Sequence, residues 1–387
     1  MKICHIITRL IVGGAQENTL ATVLGLMKKP DCEVDLVVGP QAGPEGTLIE
    51  EARKQGANVI VEPSLVREIS PLKDLRARGR LTRLIREKKY DIVHTHSAKA
   101  GILGRMAAHR AGVPAVVHTI HGPTFHSNLP PLTNWLYTMA EKHVAPRTIH
   151  FISVADAMTE QYLAAGIGRR ENYSTIRSGV DLGAYQTAGR DEAIAKKLGL
   201  APLDRVVGKI ARLFELKGHE YLIKAAPAIV TAEPNVKFLL VGDGNMRPQL
   251  EKEIERLGLR EKFIFTGLVS PTEIPRYVAL MDLLVHLSLR EGLPRALVQA
   301  LAAGKPVVAF DVDGAREVAR NGETGFLIPA KDIHALESAT IRLLRDRELA
   351  ATLGAAGQKF VREQFSKEKM VEDIYNLYVR LLSEAKR

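Results

Sequence analysis

Cysteine is nearly absent. Cys4 and Cys32 are the only two in 387 residues, so no disulfide framework organises the fold and a reducing compartment fits. Long apolar runs are missing too; none approaches the roughly 18 residues a membrane-spanning helix needs. The opening stretch MKICHIITRLIVGGAQEN does not read as a signal peptide. Arg9 breaks its apolar run, and no small-residue cleavage site precedes the polar Gln16, Glu17 and Asn18. Low-complexity tracts and short repeats are absent. Neither half has Gly-x-Gly-x-x-Gly after its first strand, which excludes an ordinary dinucleotide site there. What remains is 46 % hydrophobic and 25 % charged, the make-up of a soluble, cytoplasmic globular protein long enough for two domains.

Charge is unbalanced. Lys and Arg number 54 against 44 Asp and Glu, a formal net charge of +10, which attracts anionic partners: nucleotides, nucleic acid or anionic lipid. Much of the excess lies in residues 67–89, where Arg67, Lys73, Arg76, Arg78, Arg80, Arg83, Arg86, Lys88 and Lys89 face only Glu68, Asp74 and Glu87. Residues 72–89 read as a helix with an apolar face of Leu72, Leu75, Leu81, Leu84 and Ile85. Its basic side is either a solvated face or a surface that rests on anionic headgroups.

Short Val/Ile/Leu strands alternate with amphipathic helices throughout. Strands are expected at Lys2–Ile7, Glu33–Val38, Asn58–Val61, Asp91–Thr95, Ala115–Thr119, Thr148–Ser153 and Tyr173–Ile176. A second series follows at Arg205–Ala211, Val236–Val241, Lys262–Phe265, Asp282–Leu287, Pro306–Phe310 and Gly325–Ile328. Apolar strands separated by helices mean parallel sheets covered on both faces. The rhythm breaks at Ser178-Gly179-Val180-Asp181. Domains are therefore expected at 1–180 and 181–365, with an amphipathic helix over 366–387 presenting Met370, Ile374, Leu377, Tyr378 and Leu381. Two doubly wound domains facing each other would bind a ligand at the carboxyl ends of their strands.

Four segments carry the candidate chemistry. In SLREGLPRALVQALAAGKPVV, a loop presents Glu291 and Gly292 before a helix opened by Pro294. Helix-start N–H groups suit phosphate or hydroxyl oxygens, and Glu291 either accepts ligand hydroxyls or caps the helix. In KIARLFELKGH, Arg212 closes a strand and Lys217 opens the next helix, so two cations at one mouth suit a diphosphate unless both are ordinary surface charges. Gly13-Gly14 joins the first strand to the first helix, where glycine permits close backbone approach or merely a tight turn. His94, His96, His118 and His121 lie at two strand ends. A metal site is one reading, but no carboxylate or cysteine stands at ligand spacing; hydrogen-bonding side chains lining a cleft are the other. LVGDG at 240–244 reads as a nucleotide-domain turn, with Arg247 where a third glycine would be.

In order along the chain, these segments resemble the family-4 retaining glycosyltransferases, which have the GT-B fold of two Rossmann-like, doubly wound parallel-sheet domains. The matching stretches are Gly13-Gly14, DIVHTHS at 91–97, HTIHG at 118–122, SGVD at 178–181 and the Arg212/Lys217 pair. They continue through VGDG at 241–244, FTGLVS at 265–270 and EGLPRALVQALAAGKPVVAFDVDG at 291–314. The resemblance implies that the first domain receives the acceptor, the second binds a nucleotide sugar, and the last helix returns to the first domain. Arg212 and Lys217 would hold the diphosphate, and Glu291 the sugar hydroxyls, aided by amides at Gly292 and Leu293. Gly13, Gly14, Gly242, Gly267 and Val269 would line the donor site, the Gly267–Ser270 segment passing the base, and His121 would lie beside the transferred sugar.

The same resemblance implies no cofactor and no metal, because basic side chains and helix starts take that place. The expected partners are a nucleotide-sugar donor, a glycan or lipid-linked acceptor bound near the Gly122–Pro131 loop, and an anionic inner membrane face through the basic helix. Nucleic acid is not among them. One position departs from the family pattern: Gln299 replaces a second glutamate eight residues after Glu291. An amide must donate from its nitrogen where a carboxylate accepts at both oxygens, so donor binding weakens by about 1–2 kcal/mol. That substitution also supports an alternative, a non-catalytic partner protein keeping the fold. A sugar epimerase or phosphorylase shares the fold, but the Glu291 motif argues against both.

Overall fold

A computed structural model describes residues 1–40, 46–126 and 129–385. Ser127 and Asn128 of the expected acceptor loop lie outside the described residues, as do residues 386–387. The chain forms two α/β units, each built on one parallel sheet: Met1–Gly179 with the segment from Lys367 onward, and Val180–Ser366.

The first unit has strands β1 (Lys2–Ile7), β2 (Glu33–Val38), β3 (Asn58–Val61), β4 (Ile92–His96), β5 (Ala115–Ile120), β6 (His150–Ser153) and β7 (Tyr173–Thr175), ordered β3-β2-β1-β4-β5-β6-β7. Its helices are α1 (Gly14–Leu26), α2 (Ile49–Lys54), α3 (Pro71–Lys88), α4 (Ala98–Ala111), α5 (Pro131–Val144) and α6 (Asp156–Ala164). Side chains alternate across a strand, and here they divide between two cores. Ile3, Ile7, Leu36 and Ile92 face α1; Cys4, Ile6, Val37 and Val93 face α3 and α4.

The second unit has β8 (Arg205–Ile210), β9 (Val236–Val241), β10 (Phe263–Phe265), β11 (Leu283–His286), β12 (Val307–Phe310) and β13 (Gly325–Ile328), ordered β10-β9-β8-β11-β12-β13. Around it lie α7 (Leu182–Thr187), α8 (Glu192–Lys197), α9 (His219–Ala232), α10 (Arg247–Arg256), α11 (Ile274–Ala279), α12 (Arg295–Ala302), α13 (Ile333–Arg345) and α14 (Arg347–Gln364). Asp332 and Asp346 cap α13 and α14, each carboxylate accepting an N–H at 2.9 Å. These two Rossmann-like sheets are the units of the GT-B fold class. The thirteen strands fall where the apolar runs place them, with ends shifted by a residue or two; Thr148 instead follows the 3₁₀ turn Ala145–Arg147, ahead of β6.

The last helix, α15 (Lys367–Ala385), belongs to the first unit. Met370, Ile374, Leu377, Tyr378 and Leu381 enter the core beside Ile3, Ile92 and Val117, and Lys29 pairs with Glu372 at 2.5 Å. The expected apolar face of α3 needs correcting. Ala77, Leu81 and Ile85 are buried, but Leu72 is 75 % and Leu75 58 % exposed. At about 100° per residue, Leu72 stands half a turn from Leu81 and Leu75 a third of a turn, so neither reaches the sheet. Among the described residues no helix is long and apolar enough to cross a membrane.

Docking of α15 is testable. Ile374→Ala should lower the stability of the first unit by about 2–4 kcal/mol, read as an earlier first transition in chemical denaturation.

Candidate active site

In the second unit, β8 ends at Ile210 and α9 starts at His219. The turn between them is tight, with Leu216 and Gly218 left-handed at φ 64° and 68°. A Cβ on Gly218 would sit 1.9 Å from the Leu287 carbonyl oxygen, so only glycine lets this turn pass the end of β11. Leu289 N–H donates to the Leu216 carbonyl at 2.8 Å, tying the turn to the loop after β11. That tie brings Lys217 to Glu291, with Nζ 2.6 Å from Oε1.

Glu291 is held from several sides. Its N–H donates to Asp313 Oδ2 at 2.8 Å, and His286 Nε2 lies 3.4 Å from the same Oε1. Burial pushes the Glu291 carboxyl up, but Lys217 and then His286 outweigh it and hold the group well below the usual carboxylate range. The capping reading is set aside: α12 is preceded by Pro294 as N-cap, with no side-chain cap bond. Gly292 and Leu293 are buried in the loop, and Gln299 is half-buried on α12.

Lys209, a residue that the sequence reading passes over, sits behind this pair. It is 1 % exposed, and its Nζ has no hydrogen-bond partner among the described residues. Burial first, and then repulsion from Lys217, bring its pKa down to about 7, with Glu220 and Glu291 pulling the other way. A lysine inside the apolar run VVGKIA is the signal that marks it. Arg212 is exposed, its guanidinium 5.0 Å from the Phe214 ring centre, while its carbonyl accepts from His219 Nε2 at 3.0 Å. Gly242, at φ 136°, has room for no Cβ, which would meet the Ala211 carbonyl oxygen at 2.2 Å. Its N–H donates to the Gly267 carbonyl at 3.2 Å, so the VGDG and FTGLVS turns meet beside the Arg212 loop. Val269 follows, half-buried. The result is a region of strand ends and helix starts with Lys217 paired to Glu291, Arg212 exposed, and Lys209 buried with a pKa lowered to about 7, an arrangement of basic groups that suits a diphosphate.

In the first unit, Gly13 is the N-cap of α1 and Gly14 its first residue. The histidines divide by strand parity. His5, His94 and His96 share the face of β1 and β4 that α15 covers, whereas His118 points the other way, 2.9 Å from Thr95 Oγ1. His94, His96 and His118 are at most 2 % exposed. The cleft-lining expectation is therefore corrected for these three, which sit inside a parallel sheet covered on both faces. His5, His94 and His96 offer nitrogens within 4.8 Å of one another, yet all six are already engaged. His5 Nδ1 meets His96 Nε2 at 2.9 Å, and His96 Nδ1 meets His121 Nε2 at 3.0 Å. His94 bonds Tyr378 Oη at 2.5 Å and Thr119 Oγ1 at 2.6 Å, and His5 Nε2 lies 3.4 Å from the same tyrosine oxygen. A metal would have to break these bonds, so the arrangement reads as a hydrogen-bonded chain. His121, which His96 meets, is half-buried.

Residues 13–179 match the Glycosyl transferase 4-like domain and residues 190–360 match Glycosyl transferases group 1. Over 386 residues the chain is 30 % identical to the UDP-Gal:alpha-D-GlcNAc-diphosphoundecaprenol alpha-1,3-galactosyltransferase of Escherichia coli, covering 99 % of this chain and 97 % of that one. It is a group 1 glycosyltransferase. This group 1 chain is also 31 % identical over 319 residues to the putative glycosyltransferase EpsD of Bacillus subtilis, 79 % of this chain and 81 % of that one. Among solved structures, Anabaena Alr3699/HepE in complex with UDP-glucose superposes with a TM-score of 0.84 at 26 % identity, covering 98 % of this chain and 100 % of that one.

Lys209 yields a signed pH prediction. Its folded pKa near 7 lies below the ordinary 10.5, so the unfolded chain binds more protons between those values and stability rises with pH across that window. Lys209→Met should therefore raise the thermal midpoint at pH 6–7, with the gain shrinking as pH climbs toward about 10. A gain independent of pH would place Lys209 outside this electrostatic account.

Proposed function

We propose that this glycosyltransferase moves a hexose from a uridine diphosphate donor to a lipid-diphosphate-linked or polysaccharide-precursor acceptor, with retention of the anomeric configuration. The second unit would bind the donor and the first the acceptor. The observation that carries the reading is the Lys217–Glu291 pair at 2.6 Å, set between two strand–helix turns. Lys217 and Arg212 would neutralise the departing diphosphate, Glu291 would accept donor-sugar hydroxyls, and the amides of Gly292 and Leu293 would add donors. Gly13, Gly14, Gly242, Gly267, Val269 and Gln299 complete the donor-binding set, and His121 contacts the sugar. Support for uridine comes from the UDP in the names of the Escherichia coli relative and of the Anabaena structure, and support for a lipid-linked acceptor from the Escherichia coli relative.

No covalent nucleophile stands out in the chain, which favours attack from the leaving-group side. The acceptor hydroxyl oxygen bonds the anomeric carbon as the bond from that carbon to the β-phosphate oxygen breaks. The hydroxyl proton passes to the diphosphate, which leaves as UDP. Cationic side chains and helix-start amides supply the charge that a metal would otherwise bring, so neither metal nor cofactor is required. Calorimetry with UDP, GDP and ADP in the presence of EDTA tests the donor reading. UDP should bind saturably and the others weakly, and Arg212→Ala or Lys217→Ala should cut turnover on the order of 10²-fold. Near-normal rates in both variants would refute the assignment.

The basic helix supports a peripheral place on the inner membrane face. Ile69, Leu72 and Leu75 are 77 %, 75 % and 58 % exposed, beside the exposed Arg76, Arg80 and Arg83. Arg78, Arg83, Arg86 and Arg110 line an adjoining groove of about 520 Å³. Apolar side chains flanked by cations suit the boundary between anionic headgroups and acyl chains. At about 1 kcal/mol per basic residue, Arg76→Glu, Arg80→Glu and Arg83→Glu together should weaken sedimentation with phosphatidylglycerol vesicles about a hundredfold or more. Donor hydrolysis in solution should not change. Unaltered vesicle binding would reject the membrane reading.

A further inference from the structure

The buried histidines form a chain with a direction. A neutral imidazole has one N–H and one lone pair, so a ring bonded at both nitrogens donates through one and accepts through the other. Burial holds His5 at a pKa of about 3 and keeps His94 and His96 well below the ordinary value, with the neighbouring imidazoles adding to that. The rings are therefore neutral at physiological pH, and a sense set at one end of the chain is carried to the other.

Tyr378 on α15 sets that sense. Its hydroxyl has one proton and two ring nitrogens within reach, His94 Nδ1 at 2.5 Å and His5 Nε2 at 3.4 Å. The shorter contact fits a hydroxyl donor, so the proton goes to His94, and His5 Nε2–H is left to donate to the tyrosine oxygen. His5 Nδ1 then accepts from His96 Nε2–H at 2.9 Å. His96 Nδ1 in turn accepts from His121 Nε2–H at 3.0 Å.

We propose that Tyr378, His5 and His96 are positioning residues that hold His121 in its Nε2–H tautomer, so that His121 Nδ1 accepts a hydrogen bond from a hydroxyl of the transferred sugar. The second half of this statement rests on the reading that His121 contacts the sugar; the first does not. The last helix thereby reaches His121 through two buried rings, His5 and His96.

Nitrogen-15 NMR of the histidine-labelled protein tests the tautomer without any assay of activity. In the wild type His121 should show the pattern of a proton on Nε2. Tyr378→Phe, which removes only the hydroxyl, should convert it to a mixture of tautomers, as should His96→Leu. His96→Gln can accept through its amide oxygen and donate through its nitrogen, and should keep the pattern. In turnover, Tyr378→Phe and His96→Leu should lower kcat about tenfold with donor KM within about twofold, and His96→Gln should recover most of that loss. An unchanged His121 pattern in both Tyr378→Phe and His96→Leu would overturn the proposal. If the pattern shifts but His121→Ala keeps full activity, the chain stands and the sugar contact falls.

Discussion

A parallel sheet has to be covered on both faces, and the first unit depends on how it meets that requirement. One face of β1, β4 and β5 is closed by α3 and α4. The other is shared by α1 and α15, whose Ile374, Leu377 and Tyr378 complete the core. Strand parity then decides what lies under α15. Positions 3, 5 and 7 of β1 face it, as do 92, 94 and 96 of β4, so His5 stands between Ile3 and Ile7 in β1 while Ile92 gives way to His94 and His96 along β4. Polar rings in so dry a place persist only when each nitrogen has a partner, and Tyr378, brought by the covering helix, supplies two of the contacts. Core formation and site geometry in this unit are one packing problem.

The second unit handles charge differently. Its site is held by strained backbone and by ions. Leu216 at φ 64° and Asp313 at φ 44° occupy conformations that side chains other than glycine rarely take. They flank the Lys217–Glu291 pair, one before the lysine and the other accepting from the glutamate's N–H. Lys209 behind them is buried without a hydrogen-bond partner among the described residues, a state that costs stability. Strained backbone and a buried lysine thus lie together around the Lys217–Glu291 pair.

Periodicity carries the fold. Short apolar runs bounded by turn residues locate most of the strands, because a parallel sheet is buried on both faces; β7, Tyr-Ser-Thr and only half-buried, carries no such run. Periodicity misleads on α3, where Leu72 and Leu75 look like core residues until the turn angle is counted from Leu81. Motif residues are legible where backbone geometry demands a residue type, as at Gly218 and Gly242. Partnerships between distant segments are not: Glu291 reads equally well as a cap until Lys217 is seen beside it. His5 and Tyr378, 373 positions apart, carry no local signal beyond a polar residue in an apolar pattern. His94 and His96 pass for cleft-lining residues because the sequence does not say which face α15 will cover.

The return of α15 also bears on how the chain is made. The second unit is continuous from Val180 to Ser366, whereas the first needs residues from both ends. Domains fold in turn as a chain leaves the ribosome, yet here the first-begun unit must wait for a helix made after the whole second unit. Until then the apolar floor of β1, β4 and β5 stays open on one side, exposed to chaperones and to other nascent chains. The unit begun first is completed only after the second has been made.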